Sequence, residues 1–150
     1  MKPSKNCIDL IKQFEGISLK AYKCPAGRWT IGYGSTRWQD KTPVKEGEVC
    51  TIQQAEELLQ NDVNFIAARL PNNKLNQNQL DAVCSFIYNV GMANFINSTM
   101  WRYMRENHND IRIGLEFKKW VKARVNGELK TLRGLVRRRE AEAKLYYEKI

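Results

Sequence analysis

Histidine is nearly missing from this chain: His108 is the only one among 150 residues. A Ser-His-Asp set, or a metal held by several imidazoles, has almost nothing to work with. The four cysteines, at positions 7, 24, 50 and 84, contain no C-x-x-C pair of the kind found in zinc sites and thiol-redox motifs. Also absent are a P-loop, a G-x-S-x-G elbow and a full G-x-G-x-x-G turn, of which Gly32-Tyr33-Gly34 is only the first half. No metal and no cofactor are expected. No apolar run approaches eighteen residues, so no stable membrane insertion is expected either. The opening Met1-Lys2-Pro3-Ser4-Lys5-Asn6 lacks the apolar stretch of a secretory signal, which predicts a chain that stays in the cytoplasm where it is made. Acidic residues are scarce: 16 Asp+Glu against 25 Lys+Arg leaves a net charge of +9. That charge implies an anionic partner, whether nucleic acid, acidic lipid or a cell-wall polymer.

The size suits one domain with a single core, and the 43% hydrophobic content is that of a folded protein. Cys7, Leu10, Ile11 and Phe14 fall at i, i+3, i+4 and i+7, predicting a first helix that Gly16 can stop. From Ile17 to about Thr36 the residues favour strands, interrupted by Cys24-Pro25-Ala26-Gly27, which reads as a hairpin turn. A further short strand or loop is expected between Trp38 and Gly47. Thr51-Ile52-Gln53-Gln54 is a capping box opening a long helix with Ile52, Ala55, Leu59, Val63, Ile66 and Leu70 inward, ended by Pro71-Asn72-Asn73. Asn76 can cap the next helix, with Leu80, Val83, Cys84 and Ile87 toward the core, running to Gly91. Shorter helices are expected at about 95–106 and 110–122. A last one, at 131–148, should set Leu132, Leu135 and Val136 on one side and a basic face around Arg137, Arg138 and Arg139 on another. The fold class is α+β, a small β-hairpin lobe joined by a long helix to a helical lobe, with a cleft between them. Cys7, Cys50 and Cys84 are expected as buried free thiols.

Glu15 closes the first predicted helix, where the negative end of the helix dipole and the apolar neighbours Phe14 and Ile17 would raise its pKa. A carboxylic acid kept protonated is what protonation of a glycosidic oxygen requires. A solvated helix-end glutamate is the plainer reading of the same residue.

Three blocks shift that balance. Phe14-Glu15-Gly16, Ala21 through Gly27 and Trp29-Thr30-Ile31-Gly32-Tyr33-Gly34 form the first. Ser85 through Gly91, continuing to Phe95, Ser98 and Thr99, is the second. Gly134 through Glu142, with the pattern GLxxRRxxE, is the third. In order and spacing they resemble the phage-type lysozymes, the endolysin muramidases of tailed phages and prophages. The resemblance covers about positions 7 to 147 and implies a single lysozyme-like catalytic domain over 1–150. It implies cleavage of the N-acetylmuramic acid to N-acetylglucosamine β-1,4 bond of peptidoglycan for host cell lysis. It also implies Glu15 as general acid and Thr30 as the residue holding the attacking water.

The position between them, usually Asp in the family, is Cys24 here, a known minority variant. No Asp or Glu occurs between Gly16 and Gln39 to replace it. Ser35 is a second departure, standing where many relatives carry histidine. The resemblance further implies an arginine of the closing helix paired with Glu15, with Arg138 as the candidate and Arg137 its neighbour, and it places Asn89 among the supporting residues.

A thiol with a reference pKa near 8.5 is about 3% thiolate at pH 7. Lys23 and Arg28 lie beside Cys24 in sequence and would lower that pKa, letting the thiolate act as base toward water. Other readings remain open at this point: a lytic transglycosylase that needs only Glu15, and a catalytically weak peptidoglycan-binding module. A nucleic-acid binder using Arg137-Arg138-Arg139 with Trp101, Tyr103 and Trp120 is the fourth. The expected partners are bacterial peptidoglycan and the anionic cell envelope, with no nucleic acid, the protein acting as a monomer. The expected path runs from the host bacterial cytoplasm to the cell wall after a holin-type membrane lesion.

Overall fold

Ser4 starts the chain's first helix by accepting from the Asn6 N–H, and it also hydrogen-bonds through its own N–H to Asp81 at 2.7 Å. The computed structural model describes residues 1–71 and 74–150. Helix α1 (Lys5–Phe14) buries Cys7, Leu10 and Ile11 and is capped at its C-terminal end by Glu15, whose N–H donates to the Ile11 carbonyl. The chain then becomes extended. Strands β1 (Ser18–Lys23) and β2 (Trp29–Gly32) pair antiparallel with Tyr22 opposite Thr30 and Lys23 opposite Trp29. The segment that follows, with an isolated bridge between Arg37 and Pro43, carries no full strand.

The predicted capping box is present, and the predicted Asn76 cap proves to be a second one. Thr51 and Gln54 exchange hydrogen bonds at the start of α2 (Ile52–Arg69), and Asn76 and Gln79 do so at α3 (Gln77–Val90). Each pairing satisfies two N–H groups that a helix start otherwise leaves open. Helix α2 buries Ala55, Leu58, Leu59 and Val63. Ile52, expected inward, is 58% exposed, because as the first helical residue it lies beyond the edge of the core. Of the expected Pro71-Asn72-Asn73 stop, the last two lie outside the described residues. Helix α3 is buried over most of its circumference, from Gln79 to Ile87, and is the axis on which the helical lobe packs.

The second half departs from the expected pattern in three places. The helix expected over 95–106 is two, α4 (Met92–Ile96) and α5 (Thr99–Glu106), because Ser98 leaves helical geometry to cap the Trp101 N–H. The helix expected over 110–122 is only α6 (Arg112–Phe117). Its last predicted residues instead enter a hairpin of β3 (Lys122–Val125) and β4 (Glu128–Thr131), turned by Asn126 and Gly127 at φ +53° and +82°. Asn-Gly is the two-residue loop that such positive φ values favour. Finally, α7 (Arg133–Tyr147) buries Arg138, Arg139 and Glu142, so those two arginines are not the solvated face expected of them.

Among the described residues, seven helices and two small hairpins make this an α+β fold. Cys7, Cys50 and Cys84 are buried free thiols. Trp101 is in the core and Trp120 packs edge-on against Phe86, with ring centroids 5.7 Å apart. Tyr103, the third ring of the nucleic-acid reading, is half-buried under the Arg112 guanidinium, 4.0 Å from its centroid.

Candidate active site

Glu15, at the end of α1, meets the middle of α7. Arg138 Nη1 donates to Glu15 Oε1 at 2.7 Å. The glutamate side chain keeps 30% of its surface exposed while the arginine keeps 2%, so the carboxylate looks outward from a buried cation. Arg138 is fixed by other bonds: Nη2 donates to the Ser85 carbonyl at 3.0 Å, and Nε faces Glu142 Oε2 at 3.2 Å. Ser85 Oγ donates to the same Glu142 oxygen at 2.6 Å.

Cys24 lies in the turn of the first hairpin and Thr30 on its second strand. The turn is closed by the Cys24 N–H donating to the Arg28 carbonyl at 2.9 Å and the Gly27 N–H to the Cys24 carbonyl at 2.8 Å. The thiol is held below its ordinary pKa, first by the backbone N–H of Arg28, and further by that of Ala26 and the Thr30 hydroxyl, against partial burial. The cause differs from the one expected. Backbone donors lower it, while the Lys23 ammonium is occupied over the Trp29 ring, 5.5 Å from its centroid. Buried Thr30 also sits 3.0 Å from the Arg28 carbonyl, so its single proton serves that oxygen or the sulfur. Tyr22, opposite Thr30 in the ladder, carries a phenol raised first by burial and then by the charges of Glu15 and Cys24. One strand residue thus senses both sides of the site.

A family model for phage lysozyme matches residues 12–142. The chain belongs to the phage lysozyme family. It is 43% identical to the endolysin of Acyrthosiphon pisum secondary endosymbiont phage 1, over 97% of this chain and 98% of that one. Among solved structures it is similar to an endolysin from Escherichia coli O157:H7 phage FAHEc1, at TM-score 0.80 and 36% identity, covering 100% of this chain and 96% of that one. It is also similar to the muramidase domain of SpmX from Asticaccaulis excentricus, at TM-score 0.82 and 34% identity, covering 99% of each. This phage lysozyme is accordingly a glycoside hydrolase of peptidoglycan, serving lysis.

The remaining expected residues of this phage lysozyme divide. Asn89 is reached: its Oδ1 accepts from Arg139 Nη2. Arg137 is not. It is exposed and lines a shallow groove with Phe14, Gly134 and Lys144, apart from the buried cluster, because one helical step turns it about 100° from Arg138. Arg139 takes the place expected of Arg137. It is wholly buried, 2.9 Å from Glu142 Oε1 through Nη1, although the charges touch without the alignment of a hydrogen bond. Burial moves its pKa down to about 10, so it stays charged at neutrality. Burial pushes the Glu142 carboxyl up, and the two arginines and Ser85 oppose that. Glu142 stood in the quoted GLxxRRxxE pattern, and Ser85 opened the second block, but neither was read as part of the site.

Ser35 is buried and donates to Asp62 Oδ2 at 2.6 Å, tying the first lobe to α2. Asp62 lines a groove of about 570 Å³ with Gly34, Trp38, Phe65, Arg69 and Tyr88. Gly34 has to be glycine there: φ is +123°, and a Cβ would meet Tyr88 Oη at 3.1 Å. Desolvation raises the Asp62 pKa from 3.8 to about 6, with the Ser35 hydroxyl opposing. The folded state therefore favours the protonated form. Ionising it costs nothing below about pH 4, costs progressively more from there to about pH 6, and costs the full amount above. Two pKa units set a ceiling of about 3 kcal/mol, and partial solvent access lowers this to about 1–2. Asp62→Asn is expected to be more stable than the parent at pH 7 and equal to it at pH 4, measured by urea unfolding at both values.

Proposed function

We propose that this phage lysozyme cleaves the β-1,4 bond between N-acetylmuramic acid and N-acetylglucosamine by hydrolysis, with Glu15 as proton donor to the leaving oxygen. The observation that carries the reading is the 2.7 Å contact of Glu15 with buried Arg138, supported by Tyr22 of the first hairpin, whose phenol feels the charges of both Glu15 and Cys24. Once Glu15 has given up its proton, the carboxylate left behind already has a fixed guanidinium beside it. Such a contact strengthens as the charge develops, which is how an interaction favours a transition state over the ground state. Thr30 positions the attacking water, and the Cys24 thiolate accepts its proton or faces the positive charge growing on the sugar. The lowered thiol pKa makes the thiolate available nearer neutrality than an ordinary cysteine allows. The protein acts as a monomer, accumulates in the host cytoplasm and reaches the wall after a holin-type lesion.

One observation keeps a second reaction in view: residues 16–39 hold no carboxylate besides Glu15 just before them. A lytic transglycosylase needs one acid/base, since the 6-hydroxyl of the muramic residue displaces the leaving group. Mass spectrometry of fragments released from purified peptidoglycan separates the two. Free reducing muramic ends are expected; anhydro-muramic ends would make the enzyme a transglycosylase, and no product dependent on Glu15 would leave only a binding module. For the sulfur, Cys24→Asp is expected to retain most activity, Cys24→Ser and Cys24→Ala to lose about tenfold or more. Equal rates in all three would remove any chemical role from Cys24.

A further inference from the structure

Arg139 lies at the inner end of a chain of charges that begins at Glu15. Glu15 meets Arg138, Arg138 Nε faces Glu142 Oε2, and Glu142 Oε1 lies 2.9 Å from Arg139 Nη1. On its other side Arg139 Nη2 donates to Asn89 Oδ1, and the guanidinium stands over the Phe86 ring, 4.9 Å from its centroid. The side chain is wholly buried, and its Nε has no hydrogen-bond partner among the described residues. A guanidinium in that state carries a large desolvation penalty. Anchoring Arg138 does not require it, because the Ser85 carbonyl and Glu142 Oε2 already take Arg138 Nη2 and Nε.

What Arg139 adds is charge. Arg138 and Arg139 against Glu142 leave one net positive charge beside Glu15, and loss of the Glu15 proton brings the set to neutrality. Without Arg139 the same step would start from neutrality and end on an excess negative charge, in a site too dry to screen it. Arg139 stays charged at neutrality, and Glu15 is among the charges acting on it. The other ionisable groups nearby leave this balance alone. Burial raises the Cys7 thiol, which feels Glu142 from α1, the Tyr88 phenol on α3 and the Tyr22 phenol on β1, so all three are neutral at pH 7. Asp62 of α2, whose charge also acts on Tyr88, is unchanged in every variant of the test.

We propose that Arg139 is a positioning residue for proton donation: by matching the charge of Glu142, it leaves the Arg138 guanidinium free to receive the Glu15 carboxylate. This rests on the reading of Glu15 as proton donor. Arg139 acts through Glu142 and Arg138, and Asn89, near the end of α3, holds it in place from the other side.

The test follows the Glu15 carboxyl by carbon-13 NMR titration, its signal identified by its loss in Glu15→Gln, together with turnover on purified peptidoglycan. Removing a nearby positive charge makes a carboxyl harder to ionise. Arg139→Met is therefore expected to move the Glu15 midpoint up by about 0.5–1 pH unit and to lower kcat about three- to tenfold, with KM unchanged. Glu142→Gln is expected to move the midpoint down. Combining the two restores the single net charge, so the midpoint should return to the parent value and kcat to within about twofold. Asn89→Asp changes an exposed side chain, where substitution is tolerated, and its carboxylate offsets Arg139 from the other side. A smaller upward shift is expected there, and it decides the matter if Arg139→Met does not fold. A packing role for Arg139 would leave the midpoint in place, or would make the double variant at least as slow as Arg139→Met. Either result would overturn the proposal, as would an unmoved midpoint in Asn89→Asp. Parent-like turnover in Glu15→Gln would speak against the proton-donor reading itself, a separate outcome.

Discussion

Glu15→Gln is expected to abolish lysis, with cleavage of purified peptidoglycan down by about a thousandfold or more while the protein stays folded. A positioned general acid is worth about 10²–10⁴ in rate. The amide keeps the length and shape of the carboxyl group, and its oxygen can still accept from Arg138 Nη1, now 2.7 Å from Glu15 Oε1. What it lacks is a proton to give. Because Glu15 is partly exposed at a helix end, the swap should leave the melting temperature within a few degrees of the parent. Turnover and thermal unfolding measured on one preparation separate chemistry from folding. A Gln variant that kept a tenth of the parent rate would remove Glu15 from the proton-donor role.

The largest stability effect is expected at Glu142. This carboxylate is fully buried against Arg138, Arg139 and Ser85. With Glu15 it balances two buried guanidiniums by two carboxylates. Removing one partner of such a set leaves an uncompensated charge, a loss of about 3–5 kcal/mol. For a chain of this size that lowers the melting temperature by roughly 10 °C. Glu142→Gln should show the drop in a thermal melt. Neutralising both members of the inner pair, Glu142→Leu with Arg139→Met, should recover most of it, since apolar replacements of a buried pair are often neutral. A single variant within half a kcal/mol of the parent would mean that the two charges are not coupled.

The parts of the fold written in local chemistry could be read from the sequence. Thr51 with Gln54 and Asn76 with Gln79 carry their helix starts in four residues, and Pro25 with Gly27 carries the first turn. The β3–β4 hairpin was missed although Asn126-Gly127 announced it, because Phe117, Trp120 and Val121 prolong a helical apolar spacing across its entrance. Arg138 was paired with Glu15 by the family resemblance, but its burial and that of Arg139 went unread for another reason. Charge on a helix usually faces water, and what overrides this here lies far away in sequence, at Ser85, Asn89 and Glu15. No local period reports such a partner. Cys24 is the intermediate case: the residue and its lowered pKa were anticipated, but the donors are main-chain N–H groups, which only turn geometry reveals.

The Glu15–Arg138 contact joins positions 123 residues apart. On a ribosome adding about 5–20 residues per second, roughly 6–25 s separate the synthesis of its two halves. During that interval the nascent chain carries its acid without the guanidinium that holds it, and Ser85 and Asn89 wait for the same last helix. A chain interrupted before α7 thus leaves the ribosome with the first hairpin complete and the reactive pair unmade.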